Sequence, residues 1–294
     1  MEESRKATLI GLIAVLLWSS IVGLIRGVSE HFGATGGAAL IYTVASVLLL
    51  LTIGPSKVAQ FTRRYLIWGS VLFVSYELCL ALSIGYANTS RQAIEVGMVN
   101  YLWPALTMVF AILFNKQKSS LLIVPGFVIA IAGVCWVLGG DQGLDVAGML
   151  ANIEDNPLSY GLAFAGSVIW ATYCTVTARI AEGRNGVTLF FMLTAVALWI
   201  KYLVMGGEAM AFSVEAFVYL ALAAAAMGFG YAAWNVGILR GNVTILAGAS
   251  YFIPVLSAAL AALLLRTPLP LSFWQGAAMV CAGSLLCWIA TRNR

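Results

Sequence analysis

The residues of this chain whose types could do chemistry lie inside apolar runs. Glu77 occurs in the stretch VSYELCL. A carboxylate in such surroundings is expensive to bury and must face a cavity or a partner. It suits a proton carrier or a counter-charge for a substrate ammonium, and equally a neutral carboxyl bonded to a neighbouring helix. Trp18, Trp103 and Trp170 fall deep in their runs, as do Tyr76, Tyr101 and Tyr251. Aromatic faces take flat apolar solutes by stacking and cations by attraction to the ring, and each such ring also serves core packing. Asn88, Gln92, Glu95 and Asn100 extend a polar line from the end of one run into the next. Glu95 lies one helical turn from Arg91, so it either pairs with that arginine or stays solvated. Pro104 and Pro254 each interrupt an apolar run, where a proline removes a backbone hydrogen bond, bends the helix and releases a carbonyl. Lys201 suits a snorkelling cation, and Asn235 and Asn242 suit helix caps.

Other chemistries lack their residues. There is no HExxH motif, no Walker A loop and no CxxC pair, and the one histidine, His31, is placed in an outer loop. The five cysteines (Cys79, Cys135, Cys174, Cys281, Cys287) all lie in apolar runs and read as small hydrophobes. No catalytic residue, metal or cofactor is expected, and an intramembrane enzyme is disfavoured.

The elements that must position these residues are membrane helices. Of 294 residues, 62% are hydrophobic and 10% charged, with a mean hydropathy of +0.95; soluble domains average about 25% charged residues. Runs of about 20 apolar residues are needed to cross a bilayer. Ten occur, at 7–25, 36–54, 65–86, 93–114, 120–138, 158–178, 187–206, 214–236, 243–265 and 272–290. With an inner N-terminus, twelve of the sixteen lysines and arginines, Arg294 included, fall in inner segments. Arg26, Arg91, Lys201 and Arg266 are the four elsewhere. By the positive-inside rule both termini are cytoplasmic. The net charge of +4 is then a topology signal, and no nucleic-acid partner is expected. Trp68, Trp136, Trp199, Trp234, Trp274 and Trp288 lie towards run ends, as an interfacial belt requires.

The chain repeats itself. Residues 101–134 align without a gap on 251–284, with nine of 34 positions identical, against roughly three for composition alone. Tyr101/Tyr251, Pro104/Pro254, Gly126/Gly276 and Gly133/Gly283 are among the pairs. A weaker echo joins AVLLWSS at Ala14–Ser20 to GSVIWAT at Gly166–Thr172. Five runs per copy is an odd number, so the second copy enters the membrane from the opposite face. The expected fold is an all-α integral membrane protein of ten transmembrane helices in two inverted five-helix repeats, an arrangement that builds many secondary transporters. The expected boundaries are 1–140, a linker at 141–157 on the outer side, and 158–294. Both orientations are already present in one chain, so a monomer in the lipid bilayer should suffice. The glycine stripes Gly126/Gly133 and Gly276/Gly283 are expected to let their helices approach neighbours closely.

The duplication, the LLW motif at Leu16-Leu17-Trp18, the two prolines and the AG pairs Ala132-Gly133 and Ala282-Gly283 resemble the EamA-type transporters of the drug/metabolite transporter superfamily. Ser75-Tyr76-Glu77, the run Ala81–Ala87 and Asn100-Tyr101-Leu102-Trp103-Pro104 are most similar to the bacterial aromatic amino-acid exporters. The resemblance covers essentially the whole chain. It implies a bacterial inner-membrane carrier that exports aromatic and related hydrophobic amino acids by alternating access. Its substrate would meet Trp18, Tyr76, Glu77, Asn100, Tyr101, Trp103, Trp170 and Tyr251, with Pro104 and Pro254 as gating kinks. An exporter of other metabolites or drugs, a passive channel and an assembly scaffold are the alternatives.

Overall fold

The apolar runs fold as helices because each backbone N–H and C=O within a bilayer must find its partner inside the protein. The computed structural model describes residues 2–292, without the side chains of Ile238, Val243 and Thr244. Arg294, one of the inner-side cations counted above, lies outside the described residues, with Met1 and Asn293. The helices are α1 (Glu2–Ser19), α2 (Ile21–Phe32), α3 (Ala34–Thr52), α4 (Ser70–Gly85), α5 (Ser90–Asn100), α6 (Trp103–Asn115) and α7 (Ile123–Leu138). They continue with α8 (Val146–Asp155), α9 (Pro157–Ile180), α10 (Val187–Val204), α11 (Val214–Arg240), α12 (Val243–Ser250), α13 (Ile253–Leu264) and α14 (Leu271–Arg292). A π-helical stretch, Tyr65–Gly69, leads into α4. No strand occurs among the described residues.

The chain is an all-helical integral membrane protein. Among the described residues seven helical stretches, one of them α5 and α6 together, are long and apolar enough to cross a membrane, or eight if the pair α1 and α2, bent by 43° at Ser20, is one span. Ile123–Leu138 and Ile253–Leu264 are shorter apolar helices. Exposed residues line up in apolar stripes at helical spacing: Leu9, Ile13 and Leu16 on α1, and Val196, Ile200 and Leu203 on α10. Such stripes suit lipid. Hydroxyls inside the bundle bond back to their own helix, as Ser19 does to Val15 O and Thr175 to Ala171 O, both at 2.7 Å.

Two prolines do more than bend their helices. The helix α5 stops at Asn100, Tyr101 and Leu102 form a tight turn, and α6 starts at Trp103 with Pro104 in its first turn. The other copy repeats this: α12 stops at Ser250, Tyr251 and Phe252 turn, and α13 starts at Ile253 with Pro254. Proline lacks the N–H that would bond four residues back, so Pro104 deprives the Asn100 carbonyl of its donor and Pro254 that of Ser250. The expected kinks are therefore breaks, stitched by short bonds such as Leu102 N to Val99 O at 3.2 Å and Phe252 N to Ala249 O at 3.1 Å.

The chain divides into two compact units, each drawn from both halves of the sequence. Residues 1–61 and 184–265 form one unit, in which α1 packs on α11 and α13, and α3 packs on α10 and α11. Residues 62–183 and 266–294 form the other, in which α9 packs on α4, α5 and α6, and α7 packs on α14.

The pair α7 and α14 carries the expected glycine stripes, and they meet each other. A Cβ placed on Gly133 would stand 2.7 Å from Gly276 O, and one on Gly276 would stand 2.7 Å from Gly133 O. Gly126 and Gly283 meet in the same way, a Cβ on Gly283 lying 2.4 Å from Ala130 N. The two helices run antiparallel with backbones in contact, which glycine alone permits. Replacing Gly283 by alanine should push them apart and destabilise the protein by about 1–3 kcal/mol, read as a lower melting temperature in detergent. Gly161→Ala, at a position with open space around it, should leave the melt unchanged.

Candidate functional site

The predicted aromatic set separates between the two units. In the second unit Trp170 of α9 is the centre of a cluster. Its ring stacks on Tyr173 at 4.8 Å and lies 4.4 Å from Tyr76 and 5.8 Å from Phe73, both on α4. Trp103, at the start of α6, meets it edge-on at 6.4 Å. Gly166, one turn before Trp170, admits α4 closely: a Cβ there would stand 3.2 Å from that of Cys79 and 3.4 Å from Asn100 Oδ1. Glu77 is 1% exposed and near enough to the Tyr76 and Tyr173 phenols to interact electrostatically. Asn100 is 3% exposed; its side chain stands beside Tyr76, and its Oδ1 has no donor. Tyr101 and Pro104 complete this group at the break between α5 and α6.

The first unit holds Trp18, Tyr251 and Pro254. Trp18 packs at 5.2 Å from Tyr231 and 5.1 Å from Trp234, both on α11, and its indole lies over Gly230, where a Cβ would stand 2.7 Å from Nε1. The cluster continues from Tyr231 to Phe191 at 5.1 Å and on to Tyr42 at 5.3 Å. Tyr251 is buried at the break between α12 and α13. Each unit thus sets a tryptophan of one helix against a tyrosine of another, and each contains one proline break.

Several expectations are corrected. Trp234, expected towards a run end, also packs on Trp18. Asn235 is no cap; it lies inside α11, which continues to Arg240. Asn242 does cap α12, accepting from Ile245 N at 3.1 Å. His31 belongs to the last turn of α2 and not to a loop, its Nδ1 2.9 Å from Gly27 O. Lys201 reaches Thr35 on α3, 3.3 Å away. Glu95 is 4% exposed and so not solvated; Arg91 Nε donates to it at 3.0 Å and the Tyr160 hydroxyl at 2.9 Å.

Glu95 also belongs to a wider polar network. Arg91 Nη2 donates to Asp141 at 2.8 Å. Gln92 donates to Asp155 at 2.9 Å and accepts from Asn156 Nδ2 at 2.8 Å. Asn156 in turn caps α9 and donates to Tyr86 O at 2.9 Å.

The cluster partners Phe73, Tyr173, Tyr231 and Trp234 were missed in the sequence. Their signal was the three-residue spacing of Phe73–Tyr76, Trp170–Tyr173 and Tyr231–Trp234, which puts each pair on one helix face. Asp141 as a partner of Arg91 and Tyr160 as a partner of Glu95 carried no such signal, since both lie far along the chain.

Residues 157–289 match the EamA-like transporter family. The chain is 64% identical over 291 residues, 99% of each chain, to the aromatic amino acid exporter YddG of Salmonella typhimurium (strain 14028s / SGSC 2262). It is 62% identical over 289 residues, 98% of this chain and 99% of the other, to that named protein of Escherichia coli (strain K12). The chain belongs to the EamA-like transporter family. A further relative of the same name, from Ancylobacter novellus, is 27% identical over 263 residues, 85% of this chain and 86% of the other. A solved structure described only as a protein shares the fold, with a TM-score of 0.66 at 22% identity over 98% of this chain and 99% of its own.

Trp170 touches more of the predicted set than any other ring described above, so its loss should be felt throughout that cluster. Trp170→Ala should destabilise this EamA-like chain by about 3–5 kcal/mol, while Trp170→Phe keeps part of the contact and loses less. Thermal unfolding of the purified variants reads both, with Trp68→Ala at an exposed position as a control that should be nearly silent.

Proposed function

We propose that this EamA-like protein is a secondary transporter that exports aromatic amino acids and related hydrophobic ones across the bacterial inner membrane. The observation that carries this reading is near-full-length identity of 62–64% to two relatives named aromatic amino acid exporter. The aromatic clusters supply matching chemistry, because ring faces recognise both a flat side chain and an ammonium. In this reading the substrate meets Trp18, Tyr76, Glu77, Asn100, Tyr101, Trp103, Trp170 and Tyr251 during the cycle, and the breaks at Pro104 and Pro254 let the helix halves move.

The chain crosses the membrane ten times, as two inverted repeats at 1–140 and 158–294 joined by a linker at 141–157, with both termini cytoplasmic. Three observations support that architecture. The bent pair and the two shorter apolar helices supplement the seven long spans. The proline breaks recur 150 residues apart. The equivalent helices α7 and α14 pack antiparallel through reciprocal glycine contacts, as a two-fold relation between repeats requires. Inversion of one repeat against the other gives two related conformations, which is the basis of alternating access. A monomer contains both repeats and suffices.

Counterflow in proteoliposomes preloaded with phenylalanine, tryptophan or threonine tests the reading. Saturable exchange of phenylalanine and tryptophan, well above that of threonine, is expected. Flux that never saturates would make the protein a channel, and absence of exchange for all three would remove the substrate class. Glu77→Gln, assayed with and without a pH gradient, should lose any pH dependence while keeping exchange if Glu77 carries the coupled proton.

A further inference from the structure

The two proline breaks are alike in backbone, but the helix halves they detach are held very differently. The half α5 is eleven residues long and is joined to α6 by the turn at Tyr101 and Leu102. Its far end is tied down by Arg91, Gln92 and Glu95. Glu95, 4% exposed, takes bonds from Arg91 and from Tyr160 of α9. Arg91 binds Asp141 of the segment after α7, and Gln92 bridges Asp155 and Asn156. A buried carboxylate with a guanidinium and a phenol on it is held by charge-assisted bonds, roughly twice as strong as neutral ones.

The equivalent half in the other copy is α12. At the repeat offset of 150, Arg91 corresponds to Gly241, Gln92 to Asn242 and Glu95 to Ile245. By the 152-residue echo, Tyr160 of α9 corresponds to Thr8 of α1. Both charged residues that α5 contributes, Arg91 and Glu95, are thus replaced, and α12 itself (VTILAGAS) carries no charged residue. A neutral bond from Asn242 N to Thr8 Oγ1, at 2.8 Å, ties this end to α1.

We propose that the Arg91–Glu95–Tyr160 cluster is a latch on the outer end of the broken fourth span, with no charged counterpart among the described residues at the inner end of the broken ninth span. Releasing α5 requires parting the charge-assisted Tyr160–Glu95 bond and the Gln92–Asn156 bond to α9, and the Arg91–Asp141 pair to the segment after α7; among the described side chains, releasing α12 from α1 requires parting the neutral Asn242–Thr8 bond. The inner end therefore opens more readily than the outer one, and the resting carrier takes up substrate from the cytoplasm, as an exporter should. Arg91, Glu95, Asp141 and Tyr160 are positioning residues that set the sidedness of the cycle without touching the substrate. Inner and outer rest on the orientation and transport reading given above; the difference in restraint does not.

Hydrogen–deuterium exchange on the protein in nanodiscs tests the latch independently of transport. Amides of α5 should exchange more slowly than those of α12. Glu95→Gln should speed α5 by about tenfold, the loss of one charge-assisted bond, and leave α12 unchanged. Asp141→Asn, at an exposed position that keeps the buried pair, should give a smaller change of the same kind. Equal exchange of α5 and α12 in the parent protein, or no change in α5 on Glu95→Gln, would overturn the proposal. In proteoliposomes the KM for tryptophan should be higher from the outer than from the inner face, and Glu95→Gln should bring the two together. A purely structural role would lower both activities and keep their ratio, which would also overturn it. If the parent protein exchanges no aromatic amino acid, the functional reading fails while the exchange measurement still decides the latch.

Discussion

The hydrocarbon core of a bilayer offers no water to an unpaired peptide group, and the rest of this structure depends on that absence. It makes every apolar run helical, turns buried hydroxyls such as those of Ser19 and Thr175 back onto their own helix's carbonyls, and makes any broken backbone bond an exception that must be accommodated. Two of the exceptions are equivalent. Pro104 and Pro254 each leave the carbonyl four residues earlier without its donor, and each helix restarts at once with the proline in its first turn. A chain that accepts this disruption twice, at matched positions, is divided there into short helix segments, which the proposed cycle uses as separate bodies.

Around those breaks the two copies keep a common plan and differ in detail. Trp170 rests on Tyr76 as Trp18 rests on Tyr231. Yet α9 runs unbroken for 24 residues, whereas its counterpart divides into α1 and α2 at Ser20 with a bend of 43°. The polar ends differ further, since the charges around Glu95 are absent from α12. Duplication supplies the two-fold plan, and divergence at a few polar positions supplies a direction. A carrier with fully equivalent halves would have no structural reason to prefer one face.

The aromatic clusters bear on both stability and recognition. Ring pairs in edge-on and stacked arrangements add to the packing of each unit, so the rings proposed to meet substrate are also part of what holds the helices together. Removing one affects folding and binding together, and conservative ring exchanges separate the two effects better than truncation does.

By itself the sequence determined the helical membrane class, the positions of most of the helices, the duplicated prolines and the family. Each of these is local: apolar run length, charge placement and a constant offset suffice to read them. It also marked Trp18, Tyr76, Trp103 and Trp170 as deep rings, without saying which would meet. Only the tertiary structure decided that Trp234 packs on Trp18, that Glu95 is buried against Tyr160 and Arg91, and that the glycine stripes of α7 and α14 face each other. It also interleaved the two sequence halves into compact units that each mix both. The physical reason is one of range: helix formation is settled by neighbours within a turn, whereas a partner on another helix, such as Tyr160 for Glu95, 65 residues away, is brought in by packing.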